Sequence, residues 1–371
     1  MNFGFSEEQE ELRKMVKRFL EEKSPESEVR RLMATTEGYD TAVWDQMAKE
    51  LALQGLGIPE EFGGQGYGPV ELYVVFEEMG ASLLCAPYFS SVALAANALL
   101  QVGSDADKAS YLPGIASGEV IATLALTDDA GGWDLSATTA AASAGADGWR
   151  VTGVRNYVTD GSLASLILVP AMTDSGLSLF AVAGDAPGLT KELLPTMDQT
   201  RKQSRLVLEA VPAALIGVEG GALAGLVTTT QIAAAALAAE QVGGAQRVLN
   251  NAVEYAKTRI QFGRPIGSFQ AIKHKCANLL LDVECGRSAV QHASEALAGR
   301  QPDAALAAAL AYVHCSRAFT RAAKECIQIH GGIGYTWEHD AHLYLRRAKS
   351  SELLFGPPAR QRVRLAELAG I

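Results

Sequence analysis

A chain of 371 residues with 48% hydrophobic composition carries enough apolar material for two or three cores rather than one. Its formal charge of −10 opposes a nucleic-acid backbone, and the five cysteines (Cys85, Cys276, Cys285, Cys315 and Cys326) contain no CxxC pair, which argues against a zinc centre or a disulfide framework. The opening text is polar and acidic, and the most apolar run, Ile232 to Ala239, is short and ends in Glu240, so the expectation is a cytoplasmic protein without a membrane span.

In chain order, Ser6 with Gln9 reads as a capping box, and Leu12, Met15, Val16, Phe19 and Leu20 follow at helical spacing. Helical text continues through Trp44 to Leu53, breaks around Pro59, and resumes from Val70 to Met79 and from Ser90 to Leu100. From Ile121 the runs become short and β-prone: 121–126, 149–154, 166–170, 177–182 and 206–208, separated by glycine, aspartate and proline turns. After Gly220 and Gly221 the turn residues nearly vanish, and long helices are expected over about 223–259, 269–299 and 303–329. The fold class is therefore mainly α with a central β domain: residues 1–120 all-helical, 121–220 a small antiparallel β domain, and 221–371 a bundle of long antiparallel helices.

Two blocks of text carry chemistry. The first runs from Tyr255 through Arg259, Phe262 and Ile266 to Phe269 and Gln270; the second runs from Gln328 through Gly331 and Gly332 to Tyr335. Arg259 offers a fixed fork of donors suited to a pyrophosphate, while paired glycines let backbone approach a ligand closely. Taken without context, the arginine better suits the end of a helix and the glycines a turn.

Together the blocks closely resemble the two carboxy-terminal signatures of acyl-CoA dehydrogenases, and the resemblance extends over essentially the whole chain. It implies FAD as cofactor and a four-helix carboxy-terminal bundle. In relatives the arginine and the glutamine–glycine block serve the flavin of a neighbouring subunit, so an oligomer is implied, a homo- or heterotetramer. The flavin positions carried over are Arg259, Phe262, Gln270, Gln328, Gly331 and Gly332, with Thr127, Tyr157 and Thr159 in the β domain that covers the ring system. An acyl-CoA thioester is the implied substrate, and an electron-transferring flavoprotein the common acceptor.

The chain departs from the family where the acyl group is handled. The loop Asp128 to Asp134 carries Trp133 in place of the usual run of small residues that helps hold acyl-CoA. The common catalytic glutamate falls on Phe355, and the alternative glutamate of other branches falls on Ala233. Glu240, seven residues after Ala233, returns to within about 20° of the same helix face, roughly 10 Å along. A carboxylate in alanine-rich helical text is costly to desolvate without a purpose, so Glu240 is the candidate base, against a salt bridge with Arg247 or another helix. Glu338 and Glu352 are fallback carboxylates, and His330 reads as structural or flavin-adjacent.

These departures suit a bulky, branched or steroid-type acyl chain, oxidised by α-proton abstraction and β-hydride transfer. They also resemble actinobacterial-type subunits that pair with an unlike chain, which keeps a noncatalytic or half-site subunit open. A third reading keeps the fold and flavin but uses oxygen, as a monooxygenase or oxidase.

Overall fold

The computed structural model describes residues 6–129 and 131–371; of the substrate-loop text, Ala130 lies outside them. Helices come first: α1 (Glu7–Lys23), α2 (Glu26–Met33), α3 (Thr41–Lys49), α4 (Pro69–Ala81), α5 (Asn97–Val102) and α6 (Asp105–Ala116). The expected capping box is formed at α1, where the Ser6 hydroxyl accepts from Gln9 N–H and the Gln9 side chain accepts from Ser6 N–H. Ahead of α5, Phe89–Ala96 is wound as a π-helix and is buried throughout.

Seven strands follow: β1 (Ala122–Leu124), β2 (Ala141–Gly145), β3 (Gly148–Thr159), β4 (Leu166–Thr173), β5 (Gly176–Ala183), β6 (Leu189–Leu193) and β7 (Gln203–Ile216). The pairings β2–β3, β3–β7, β7–β5, β5–β4 and β4–β2 close a ring, with β1 added on β4 and β6 on β7. Most pairings are antiparallel, as expected, but β1 and β2 each meet β4 in parallel. Turn chemistry marks hairpins and is silent about parallel neighbours, which is why this part of the topology was not legible. Inside the ring Val151, Val169, Phe180, Val182, Leu206 and Leu208 are buried together, each contributing about 1.5–3 kcal/mol on burial.

The chain then returns to helix: α7 (Ala222–Thr258), a tight hairpin of β8 (Ile260–Gln261) and β9 (Arg264–Pro265), α8 (Gln270–Ala298), α9 (Ala304–His330), α10 (Ala341–Ser351) and α11 (Pro358–Leu368). By contacts the chain forms two compact units. One contains Leu32–Gly68 and Cys85–Ala233, that is, the strands with the helices around them. The other contains Met1–Arg31, Pro69–Leu84 and Ala234–Ile371. The helical text before residue 120 is thus divided between the two, because α4 packs on α8 and α1 packs on α4.

The close meeting of α4 and α7 rests on two glycines. A Cβ on Gly80 would lie 1.9 Å from the Glu240 carbonyl oxygen, and one on Gly243 would lie 1.7 Å from that of Glu77. Only the absent side chains allow the two backbones to touch. Among the described residues α7 is the one helix long and apolar enough to cross a membrane by length and composition, which corrects the expectation that no such segment exists. Its packing gives that apolarity another purpose: Gly244 lies against the Phe319 ring on α9, Val242 faces Gly286 on α8, and Gln241 exchanges hydrogen bonds with Ser316.

Candidate functional site

In the strand-containing unit, three residues expected at the flavin come together around the end of β3. Asn156 N–H donates to the Thr127 carbonyl at 3.2 Å, which ties the segment after β1 to the residue before Tyr157. Thr123 Oγ1 donates to the Thr159 carbonyl at 2.7 Å. Thr127 and Thr159 are buried, whereas Tyr157 is half exposed and held at φ 52°. A bulky residue at positive φ is strained by about 1–3 kcal/mol, and such strain marks positions the surrounding fold enforces; here the β3–β7 register shifts between Arg155 and Val158.

The neighbouring loop is held by its own acids. Asp128 accepts from Gly132 N–H at 2.7 Å; the Asp129 carbonyl accepts from the Asn156 side chain at 2.8 Å, and its carboxylate lies 3.4 Å from Arg205. Beneath them Arg155 is the largest fully buried side chain. It donates to Thr138 Oγ1 at 2.6 Å and to the Pro170 carbonyl, and burial pushes its guanidinium down to about 10 against the opposing pull of Asp128. Nothing in the sequence distinguished Arg155 from a surface arginine.

In the helical unit, the two signature blocks meet at one end of the bundle. The Tyr255 ring near the end of α7 stacks on His330 at the end of α9, with centroids 4.3 Å apart, and His339 lies on His330 at 4.4 Å. His330 is buried, and its Nδ1 lies 2.8 Å from the Cys326 carbonyl. The stack brings the hairpin that follows Arg259 to the same end as Gln328, Gly331 and Gly332. In that hairpin Phe262 and Gly263 form the turn, with φ 54° and 72°. Phe262 is 90% exposed, its ring edge-on to Phe269 at 6.0 Å, and Arg264 covers Phe269 at 4.1 Å. Arg259, Gln270 and Gln328 are exposed, and a side chain on Gly331 or Gly332 would meet nothing within 4 Å.

Glu240 is paired within the helical unit. Its carboxylate accepts from Arg347 Nη1 at 2.9 Å; the side chains are 5% and 2% exposed, so the pair is buried. Arg347, on α10, also reaches the Leu84 carbonyl at 3.4 Å. The burial that suggested a base is therefore answered by a cation from another helix, the alternative weighed beside the base in the sequence. Breaking such a pair to free the carboxylate costs about 3–5 kcal/mol. Arg247, the partner considered from sequence, bonds Glu26 at 2.7 Å instead.

The fallback carboxylates are also engaged or remote. Glu352 accepts from Thr320 Oγ1 at 2.8 Å and pairs with Lys349. Glu338 is exposed, and hydrogen bonds from its own backbone and from Thr336 hold its carboxyl below the usual range. Phe355 is buried at φ 67°, edge-on to Tyr312, whose hydroxyl donates to the Ser351 carbonyl at 3.0 Å. At the position where the sequence reading expected the family's common base, Phe355 sets an apolar ring in a turn.

Comparison with known proteins fits this geometry. The family model for the acyl-CoA dehydrogenase N-terminal domain matches residues 6–119, and that for the acyl-CoA dehydrogenase C-terminal domain matches residues 225–369. This chain belongs to the acyl-CoA dehydrogenase family. Acyl-CoA dehydrogenase IpdE2 of Mycolicibacterium smegmatis is 35% identical over 97% of this chain and 98% of its own length. Among solved structures, the ChsE4–ChsE5 complex from Mycobacterium tuberculosis aligns with a TM-score of 0.91 at 30% identity, covering 100% of this chain and 99% of that one. A variant of the Tcur3481–Tcur3483 steroid ACAD aligns with a TM-score of 0.90 at 30% identity, covering 98% of each chain.

As a member of this flavoprotein family, the acyl-CoA dehydrogenase chain takes FAD as cofactor. The helical unit fits that group: an exposed guanidinium, two exposed amides and two glycines open to close backbone approach suit an extended diphosphate.

Proposed function

We propose that this chain is one subunit of a heteromeric acyl-CoA dehydrogenase and contributes flavin-binding surface without supplying the base. The observation that carries this reading is the buried Glu240–Arg347 pair, because it engages the carboxylate that could replace the family's two glutamates, whose places are taken by Ala233 and Phe355. The reaction is α,β-dehydrogenation of an acyl-CoA thioester, in which a carboxylate of the partner chain would take the α proton. Bound FAD supplies the two-electron acceptor for the β hydride. This chain's residues bind and orient: Arg259 for the diphosphate, Gln270 and Gln328 as neutral donors, Gly331 and Gly332 for backbone approach, and Thr127, Tyr157 and Thr159 around the ring system. Such binding does not itself require an ionisable base.

A bulky, steroid-type acyl group is supported by the relatives: one similar structure is a steroid ACAD, and another is a complex of two unlike chains. An electron-transferring flavoprotein is the proposed acceptor. The test is to purify the chain alone and together with a family member that retains its glutamate, then measure FAD content and anaerobic bleaching with bulky acyl-CoAs. Bleaching only by the pair, lost when the partner's glutamate is changed and kept with Glu240→Gln here, supports the proposal. Bleaching by the chain alone, abolished by Glu240→Gln without loss of thermal stability, overturns it.

A further inference from the structure

On the outer side of α9 lies a cavity of about 810 Å³ that none of the roles above uses. It is bounded by α9 and by residues of α10 and α11, and Leu310, Val313 and Pro358 give it an apolar surface. Five cations line it (Arg317, Arg321, Lys324, Lys349 and Arg362) against the two carboxylates of Glu325 and Glu352.

Both carboxylates are already engaged, Glu352 by Lys349 and Thr320, and Glu325 by Lys275. Arg321 is held by Asp282 at 2.7 Å. Arg317, Lys324 and Arg362 make no ion pair or hydrogen bond among the described residues, and all three are exposed. Surface cations on a convex face need no explanation, but here they converge on a hollow from two helices. Arg317, Arg321 and Lys324 share one face of α9, with Arg317 and Lys324 about 10 Å apart along it, and Arg362 comes from α11. A net charge of −10 makes such a local excess of unpaired cations unusual for this chain.

The geometry points to a binding site for a phosphorylated small molecule of nucleotide size. Guanidinium forks match phosphate oxygens in pairs, Lys324 adds a point charge, and the apolar surface accommodates a ring or alkyl body. A volume between about 300 and 1,000 Å³ is that of a small-molecule site rather than a protein groove. None of Arg259, Gln270, Gln328, Gly331 or Gly332 lines the cavity, so it is separate from the flavin residues and goes beyond the proposed function.

The probe is ADP, titrated calorimetrically into the assembled, FAD-saturated protein. The expected result is saturable binding of one ADP per chain, weakened about tenfold or more by Arg317→Ala combined with Arg362→Ala, with FAD content and thermal stability unchanged. Lys324→Gln alone weakens binding less, and raising salt from about 50 to 300 mM weakens it in the parent protein. Three outcomes overturn the site: no saturable binding to the FAD-saturated assembly, as when a partner chain fills the cavity; binding that vanishes once FAD is saturating; or binding that the double variant leaves unchanged.

Discussion

Glu240 shows that burial alone does not assign a carboxylate its role. A desolvated acid needs a purpose, and both a proton to abstract and a cation to hold satisfy that need. Arg347, 107 residues later, supplies the cation. Removing one partner strands the other, so Glu240→Ala is expected to lower stability by about 3–5 kcal/mol, whereas Glu240→Leu with Arg347→Met recovers most of that loss. Thermal melts of the two variants check this, and an Ala variant that melts with the parent protein contradicts the ion-pair reading. Phe262 raises a different question, since its ring is held at positive φ and almost wholly exposed. Phe262→Gly is expected to relieve about 1–2 kcal/mol of backbone strain while reducing FAD retention after gel filtration, because the strained ring is kept at the signature hairpin. Unchanged FAD retention would mean that the ring has no part in cofactor binding.

Among the elements, α7 carries the helical unit through its contact with α4. Gly80→Ala or Gly243→Ala sets a methyl within 2 Å of a carbonyl oxygen on the other helix, and neither backbone can yield locally. Each variant is therefore expected to melt well below the parent; a melt within a degree or two would show that the helices separate easily. The segment from His330 to His342 carries a pH dependence. Burial, followed by the charge of His330, holds His339 below its ordinary 6.5. Burial, with Arg30 and Arg346 opposing the Trp337 carbonyl and Asp340, does the same for His342. A depressed imidazole favours the neutral form in the folded state, so its contribution is fully present above pH 6.5 and is lost as pH falls through the lower folded value. Amide protection over residues 331–342, taken relative to the intrinsic exchange rate at each pH, should therefore fall between about pH 7.5 and 5.5, and His339→Gln with His342→Gln should flatten the change.

At the scale of the whole molecule, large apolar side chains are left exposed on the helical unit, among them Ile260, Phe262, Leu281, Ile333, Tyr335 and Trp337. Several belong to the signature blocks, so the surface proposed to meet the cofactor is also the one that needs covering. Native mass spectrometry is expected to find the chain associated when a suitable partner is present, and Phe262→Ser with Tyr335→Ser should shift it toward the single subunit. An assembly unaffected by that change would place the interface elsewhere.

Helix-strand-helix order, the α1 capping box and the two signature blocks were legible in the sequence, because periodicity, caps and glycine-rich turns are local properties of the chain. The expectation of flavin residues near Arg259 and Gln328 was likewise a matter of text. What only the tertiary structure decided is which distant groups meet: β1 and β2 running parallel to β4, α4 packing on α8 and α1 on α4, and Arg347 closing on Glu240. Pairing between residues tens to hundreds of positions apart leaves no local period, and the desolvation of a charge has no sign until its partner is in place.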